Sequence, residues 1–176
     1  VIADPKVKLD DMLIGDKNAI MIGTRILGYG KDYAIELTDP DTNERVEYVV
    51  DLSKLQNKSI DEKLFENGNN FTLELPNSKR VIGFKLLTHK DEKQIEETLK
   101  DYEKAEKLTG VSYSLTTRLK HQIVSIDGNT DQKQIDDFVD NEFLALDTRA
   151  FRKYLDKVTP DIELKFDYTS QTGNLH

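Results

Sequence analysis

After one short helical stretch, the apolar residues of this chain alternate with a period of two through Leu86, and from Asp91 they recur at helical spacing as far as Pro160. Strands and helices are thereby segregated along the sequence. That order points to an α+β fold, because a wound parallel sheet needs strands and helices to take turns. The opening helix is predicted in GDKNAIMIGTRILGYG, with Asp16 as its cap, Ile22, Arg25 and Ile26 at helical spacing, and a stop at Gly28 or Gly30. Next, Tyr33, Ile35 and Leu37 alternate on one side, a turn falls on Asp39 to Asn43, and Val46, Tyr48 and Val50 return. This predicts a hairpin with one buried face.

A polar stretch from Ser53 to Asn70 leads to a second predicted hairpin, built on Phe71, Leu73, Leu75 and then Val81, Ile82, Phe84, Leu86, with Asn77 and Ser78 at its tip. Beyond it, Ile95, Leu99, Tyr102 and Leu108 trace one stripe of an amphipathic helix that Gly110 stops. Helical spacing continues through Leu115, Leu119 and Ile123. IVSIDGN then reads as a brief strand closed by an Asp127-Gly128 turn. Two short amphipathic helices follow. Asp131 and Gln134 stand in capping-box register before Ile135, Phe138 and Val139, and Asp147 is placed to cap a helix carrying Phe151, Tyr154, Leu155 and Val158. Ile162, Leu164, Phe166 and Tyr168 alternate as a last strand.

A chain of 176 residues suits one domain over 1–176, with a helix and first hairpin in 1–53, the second hairpin in 54–88, a helical part in 89–160, and a strand in 161–176 returning to the first hairpin. The formal net charge of −8 opposes attraction to nucleic acid or to anionic lipid, so the expected partners are other proteins. No apolar run reaches the length of a membrane span and the first residues lack the pattern of a signal peptide, so a soluble protein is expected. The start without Met and the stop soon after a strand suggest ends cut from a longer gene product.

Chemistry is harder to find. The three histidines, His89, His121 and His176, never share a helical face at the spacing of a zinc protease, and adjacent carboxylates such as Glu96 and Glu97 point in different directions on a helix. Solvated helix faces explain the carboxylates well. No enzymatic activity and no cofactor are expected. One coincidence stands out. Asp39-Pro-Asp-Thr42 sits at a hairpin tip, and Thr169-x-x-Thr172-Gly173 has the shape of a Cys-x-x-Cys-Gly knuckle with hydroxyls in place of sulfur. Two such knuckles would make a four-cysteine zinc ribbon, yet this chain has no Cys, and neutral hydroxyls are poor zinc ligands. The acidic turn by itself needs nothing beyond Asx-turn chemistry.

Three segments together, IGDKNAIMIGTRILGYGKDYAIELTDPDTNERVEYVVDLS, TTRLKHQIVSIDGN and LALDTRAFRKYLDKVTPDIELKFDYTSQTG, resemble the baseplate hub protein family of T-even-type contractile-tailed phages. Members of that family carry Cys-Pro-x-Cys in the first hairpin and Cys-x-x-Cys-Gly at the end. Here Pro40 and Gly173 keep those frames while Asp39, Thr42, Thr169 and Thr172 occupy the ligand positions, so the resemblance implies a degenerate zinc ribbon with no metal.

What the resemblance implies is a bacteriophage structural protein that takes part in baseplate hub assembly by contacting other tail proteins, located in the virion tail baseplate after assembly in the host cytoplasm. The alternatives are a transient assembly chaperone absent from the virion and, further off, a tail-associated cell-wall hydrolase. Partner contacts are expected at Arg118, Lys120 and His121 on one helix and at Arg149 and Arg152 on another. Arginine forks pair with carboxylates while their stems cover apolar area. The plainer explanation of those five residues is a solvated face or a local salt bridge.

Overall fold

The computed structural model describes residues 8–109 and 112–176. Residues 1–7 and Gly110, read above as a helix stop, lie outside them, as does the side chain of Leu108. The fold is α+β, with small antiparallel sheets and short helices. In place of the one domain expected over 1–176, the chain divides into two compact units. Gly15–Ser59 and Pro160–His176 form the smaller, and Ile60–Thr159 forms the larger together with residues 8–14. The main part of the larger unit, Ile60–Thr159, is thus inserted between the two segments of the smaller.

The larger unit is organised by a three-stranded antiparallel sheet in the order β4 (Phe71–Glu74), β5 (Val81–Phe84), β6 (Ile123–Ile126). Phe71 faces Phe84 and Leu73 faces Ile82, the register that the alternation predicts. Gly83 opposes Ser125, whose hydroxyl lies too close to where a Cβ would stand, so a side chain there would force Ser125 to another rotamer. Helices α2 (His89–Thr109), α3 (Ser114–Gln122), α4 (Gln132–Asp137) and α5 (Ala145–Val158) complete the unit. Its core holds Leu75, Ile82, Phe84, Ile123, Ile135 and Phe151, all essentially inaccessible. Phe84 is the hub of that core. Its ring lies 5.3 Å from Phe71, 5.0 Å from Phe151 and 5.9 Å from Tyr154.

Two cap expectations change in this unit. Asp131 does cap α4, accepting from Lys133 N, but Gln134 turns aside to accept from the Asn129 amide, and the Asp131 N–H goes to Asn129 Oδ1. The capping box is therefore half formed, because a nearer acceptor satisfies the backbone donor. Asp147 does not cap α5, which begins two residues earlier at Ala145. Its buried carboxylate instead accepts Asn77 N at 2.8 Å and Ser78 N at 3.0 Å, tying down the tip of the second hairpin. Burial pushes that carboxyl up, but those N–H groups outweigh it and hold it below its ordinary value.

In the smaller unit, α1 (Ile14–Tyr29) starts two residues before the expected cap, so Asp16 sits in its first turn, where a carboxylate complements the helix dipole. Gly30, at φ 85°, ends it in the left-handed conformation that glycine adopts freely. Strands β1 (Asp32–Thr38) and β2 (Arg45–Asp51) pair with Tyr33 facing Val50, Ile35 facing Tyr48 and Leu37 facing Val46, as the alternation requires. Gly15 admits no side chain, since a Cβ there would overlap the Pro160 carbonyl and lie 3.0 Å from Asp161 Cα.

The last strand is shorter than its alternation suggests. Only β7 (Ile162–Glu163) forms a ladder, and it pairs with β3 (Gln56–Asn57) rather than with the first hairpin. The chain returns to that hairpin by other means. Phe166 stacks on Tyr48 at 5.6 Å, Tyr168 meets the same ring edge-on at 5.1 Å, and the Tyr48 hydroxyl donates to Asp167 O. Aromatic contact replaces the ladder because β2 presents its side chains, not its edge, to this segment.

Candidate functional site

The turn after β1 and the turn near the C-terminus meet through two aspartates. Asp39 is wholly buried, and each of its carboxylate oxygens accepts twice. Oδ1 takes Asp41 N at 2.8 Å and Thr42 N at 3.1 Å, which is the Asx turn expected from the sequence. Oδ2 takes the Tyr168 hydroxyl at 2.7 Å and Gln171 N at 2.9 Å. The same carboxylate therefore shapes one turn and holds the other.

Asp41 gathers the rest. Its Oδ2 accepts from Ser170 Oγ at 2.5 Å, from Asn174 Nδ2 at 2.9 Å and from the Thr172 hydroxyl, while Oδ1 lies 3.1 Å from His176 Nε2. The receiving turn is preset by backbone pairing between Tyr168 and His176, at 2.9 and 2.8 Å, and by Gly173 at φ 92°. Four donors on one carboxylate and four on the other make a clasp without sulfur.

Of the four degenerate knuckle positions, the clasp uses Asp39 and Thr172 through their side chains and Thr42 through its N–H. Thr169 is exposed, bridging Leu175 by its backbone alone. Asp41, Tyr168, Ser170, Gln171, Asn174 and His176 are not among the site residues expected from the sequence. The hint available was an acidic turn facing a hydroxyl-rich one. The four knuckle positions do not fit a zinc ion, because both oxygens of Asp39 are committed to donors and Thr42, Thr169 and Thr172 offer neutral hydroxyls. No group of three His, Cys, Asp or Glu arranged to hold a metal occurs among the described residues.

The electrostatics of the clasp set its pH range. The Gln171 N–H, the Tyr168 hydroxyl and the turn N–H groups hold Asp39 at about 2, against an ordinary 3.8. The Ser170, Thr172 and Asn174 donors also depress Asp41. Donation to Asp39 pushes Tyr168 up to about 12 from 10.0. A depressed carboxyl stabilises the fold fully above 3.8 and loses that contribution as pH falls toward the folded value. A raised phenol contributes fully below 10.0 and loses its share as pH rises toward 12. Amide exchange at Tyr168 and His176, corrected for intrinsic rate, is therefore expected to be flat between those limits and to rise outside them. A constant rate down to pH 2 would contradict the assignment.

The five expected partner residues are not brought into one site. Arg118 is engaged by Glu92 in a two-pronged pair at 2.5 and 2.8 Å, and Lys120 by Asp140 at 2.7 Å. Lys120 and His121 line a groove of about 760 Å³ with Lys85, Asp91, Tyr102 and Asp136, and Lys85 is itself paired with Asp91. Arg149 and Arg152 stand exposed on α5, on the side away from the buried Phe151.

No family model, no curated protein and no solved structure matches this chain. No helix among the described residues is long and apolar enough to cross a membrane.

Proposed function

We propose that this chain is a non-enzymatic structural protein of a contractile phage tail that takes part in baseplate hub assembly by contacting other tail proteins. One observation carries the reading. The two turns that the family resemblance pairs, far apart in sequence, are joined in the smaller unit by Asp39 and Asp41. On this reading, turns that the family joins through four ligands are joined here by hydrogen bonds, which supports an architectural role. The buried carboxylates Asp39 and Asp147 are committed to donors, which leaves them no role as general acid or base.

Affinity capture of the tagged chain from cells infected with the phage that encodes it tests this directly. Recovery of baseplate proteins is expected, and recovery of none would overturn the reading, as would lysis of purified peptidoglycan by the isolated chain. Mass spectrometry of purified particles then separates a permanent virion component from a chaperone that departs.

A further inference from the structure

The smaller unit leaves its own apolar surface unfinished. Its buried apolar side chains among the described residues are Val50 and Tyr168, whereas Met21, Leu27, Tyr29 and Leu164 are 59%, 86%, 81% and 66% exposed. A unit with so little interior gains most from apolar area covered by something else. Two of these four, Met21 and Leu164, line one groove. Asn18, Met21, Ile22 and Arg25, spaced as one face of α1, form one wall of a groove of about 440 Å³, and Tyr33, Leu52 and Leu164 form the other.

Arg25 is the only charged residue in that lining. Its guanidinium lies 4.9 Å from the Tyr29 ring and 5.6 Å from the Tyr33 ring, and Nη1 donates to Gly30 O at 3.2 Å. These contacts anchor the guanidinium beside the two rings, and no carboxylate among the described residues pairs with it. In a chain of formal net charge −8, a guanidinium anchored at an apolar groove and lacking an acid is an open half of a bidentate pair. The same net charge repels a polyanion, so the complement is one carboxylate among apolar neighbours.

Four of the seven lining residues come from one face of α1, so the surface offered is chiefly that of a helix, and the apolar stripe of a second helix packs against such a face. We infer that the α1 groove is a docking site for an amphipathic helix of a partner protein, whose apolar stripe covers Met21, Ile22 and Leu164 while a single carboxylate pairs with Arg25. This rests on the reading of the chain as a protein-binding component and names the kind of partner.

The test uses the full chain and a labelled synthetic helix with leucines at i, i+4 and i+7 and one glutamate beside them, together with versions bearing glutamine or lysine at that place. The glutamate helix is expected to bind and to shift the NMR signals of Met21, Arg25, Tyr33 and Leu164. Arg25→Glu should weaken it on the order of tenfold and transfer the preference to the lysine helix. Met21→Asp should abolish binding, while Leu27→Asp, outside the groove, should leave it intact. Unchanged amide protection at Tyr168 and His176 would show that the variants remain folded. Three results overturn the inference: no binding, binding indifferent to Arg25→Glu, or a groove already covered in the free chain. The last would appear as a dimer that Met21→Asp dissolves or as intramolecular protection. Capture of tail proteins undiminished by Arg25→Glu and Met21→Asp would remove the groove and leave the baseplate reading. Helix binding without any captured tail protein would do the reverse.

Discussion

Phe84→Ala is expected to destabilise the larger unit by about 3–5 kcal/mol. Phe84 has no exposed surface, and its ring is ringed by Phe71, Phe151 and Tyr154 at centroid distances of 5.0 to 5.9 Å. Truncation removes the apolar area and leaves a void bounded by a β-strand on one side and α5 on the other, neither free to collapse into it. Denaturant unfolding followed by circular dichroism checks this. The midpoint should fall while the slope of the main transition holds, and a loss below about 1 kcal/mol would mean that the site repacks. Phe84→Leu, which keeps much of the volume, should cost clearly less.

Asp39→Ala is expected to open the clasp. Four donors lose their acceptor at once: the Tyr168 hydroxyl and the N–H groups of Gln171, Asp41 and Thr42. Buried donors left without acceptors are costly, and here two of them belong to the C-terminal turn. Amide exchange at Tyr168 and His176 should accelerate roughly a hundredfold, with the fold of the larger unit untouched. Asp39→Asn keeps one oxygen and should fall between the two. Unaltered exchange in Asp39→Ala would show that Asp41 alone, with its Ser170, Thr172 and Asn174 donors, is enough to hold the turn.

The hairpins were legible because a period of two assigns every second residue to one face, and Tyr33, Ile35, Leu37 meet Val50, Tyr48, Val46 as that rule requires. Core positions such as Ile135, Phe138, Phe151 and Val158 were legible from helical spacing for the same reason. Caps were less so. Asp147 has the right residue type and position to cap a helix, but a capping carboxylate and one that grips a distant hairpin tip look alike in sequence, and the tip won. Alternation in Ile162 to Tyr168 promised a ladder where the structure uses stacked rings, because alternation reports which face is apolar and says nothing of which edge is free.

At the clasp, the sequence reading pointed to the two turns through the positions cysteines would occupy. It could not anticipate Asp41, which stands between those positions and accepts more side-chain donors than any of them. The reason is physical. A metal imposes its ligand spacing on the sequence, whereas a carboxylate accepts from whichever donors the opposing turn presents. A hydrogen-bonded junction therefore leaves no fixed signature.

The insertion of one unit within the other has a consequence during synthesis. Asp41 leaves the ribosome 129 residues ahead of Ser170, its partner in the clasp. At cellular elongation rates that interval is on the order of ten seconds. The first hairpin must wait through it with its tip carboxylates solvated, while the whole inserted sequence emerges and can mature. Closure of the smaller unit thus cannot precede the emergence of Ser170, so translation sets its earliest moment.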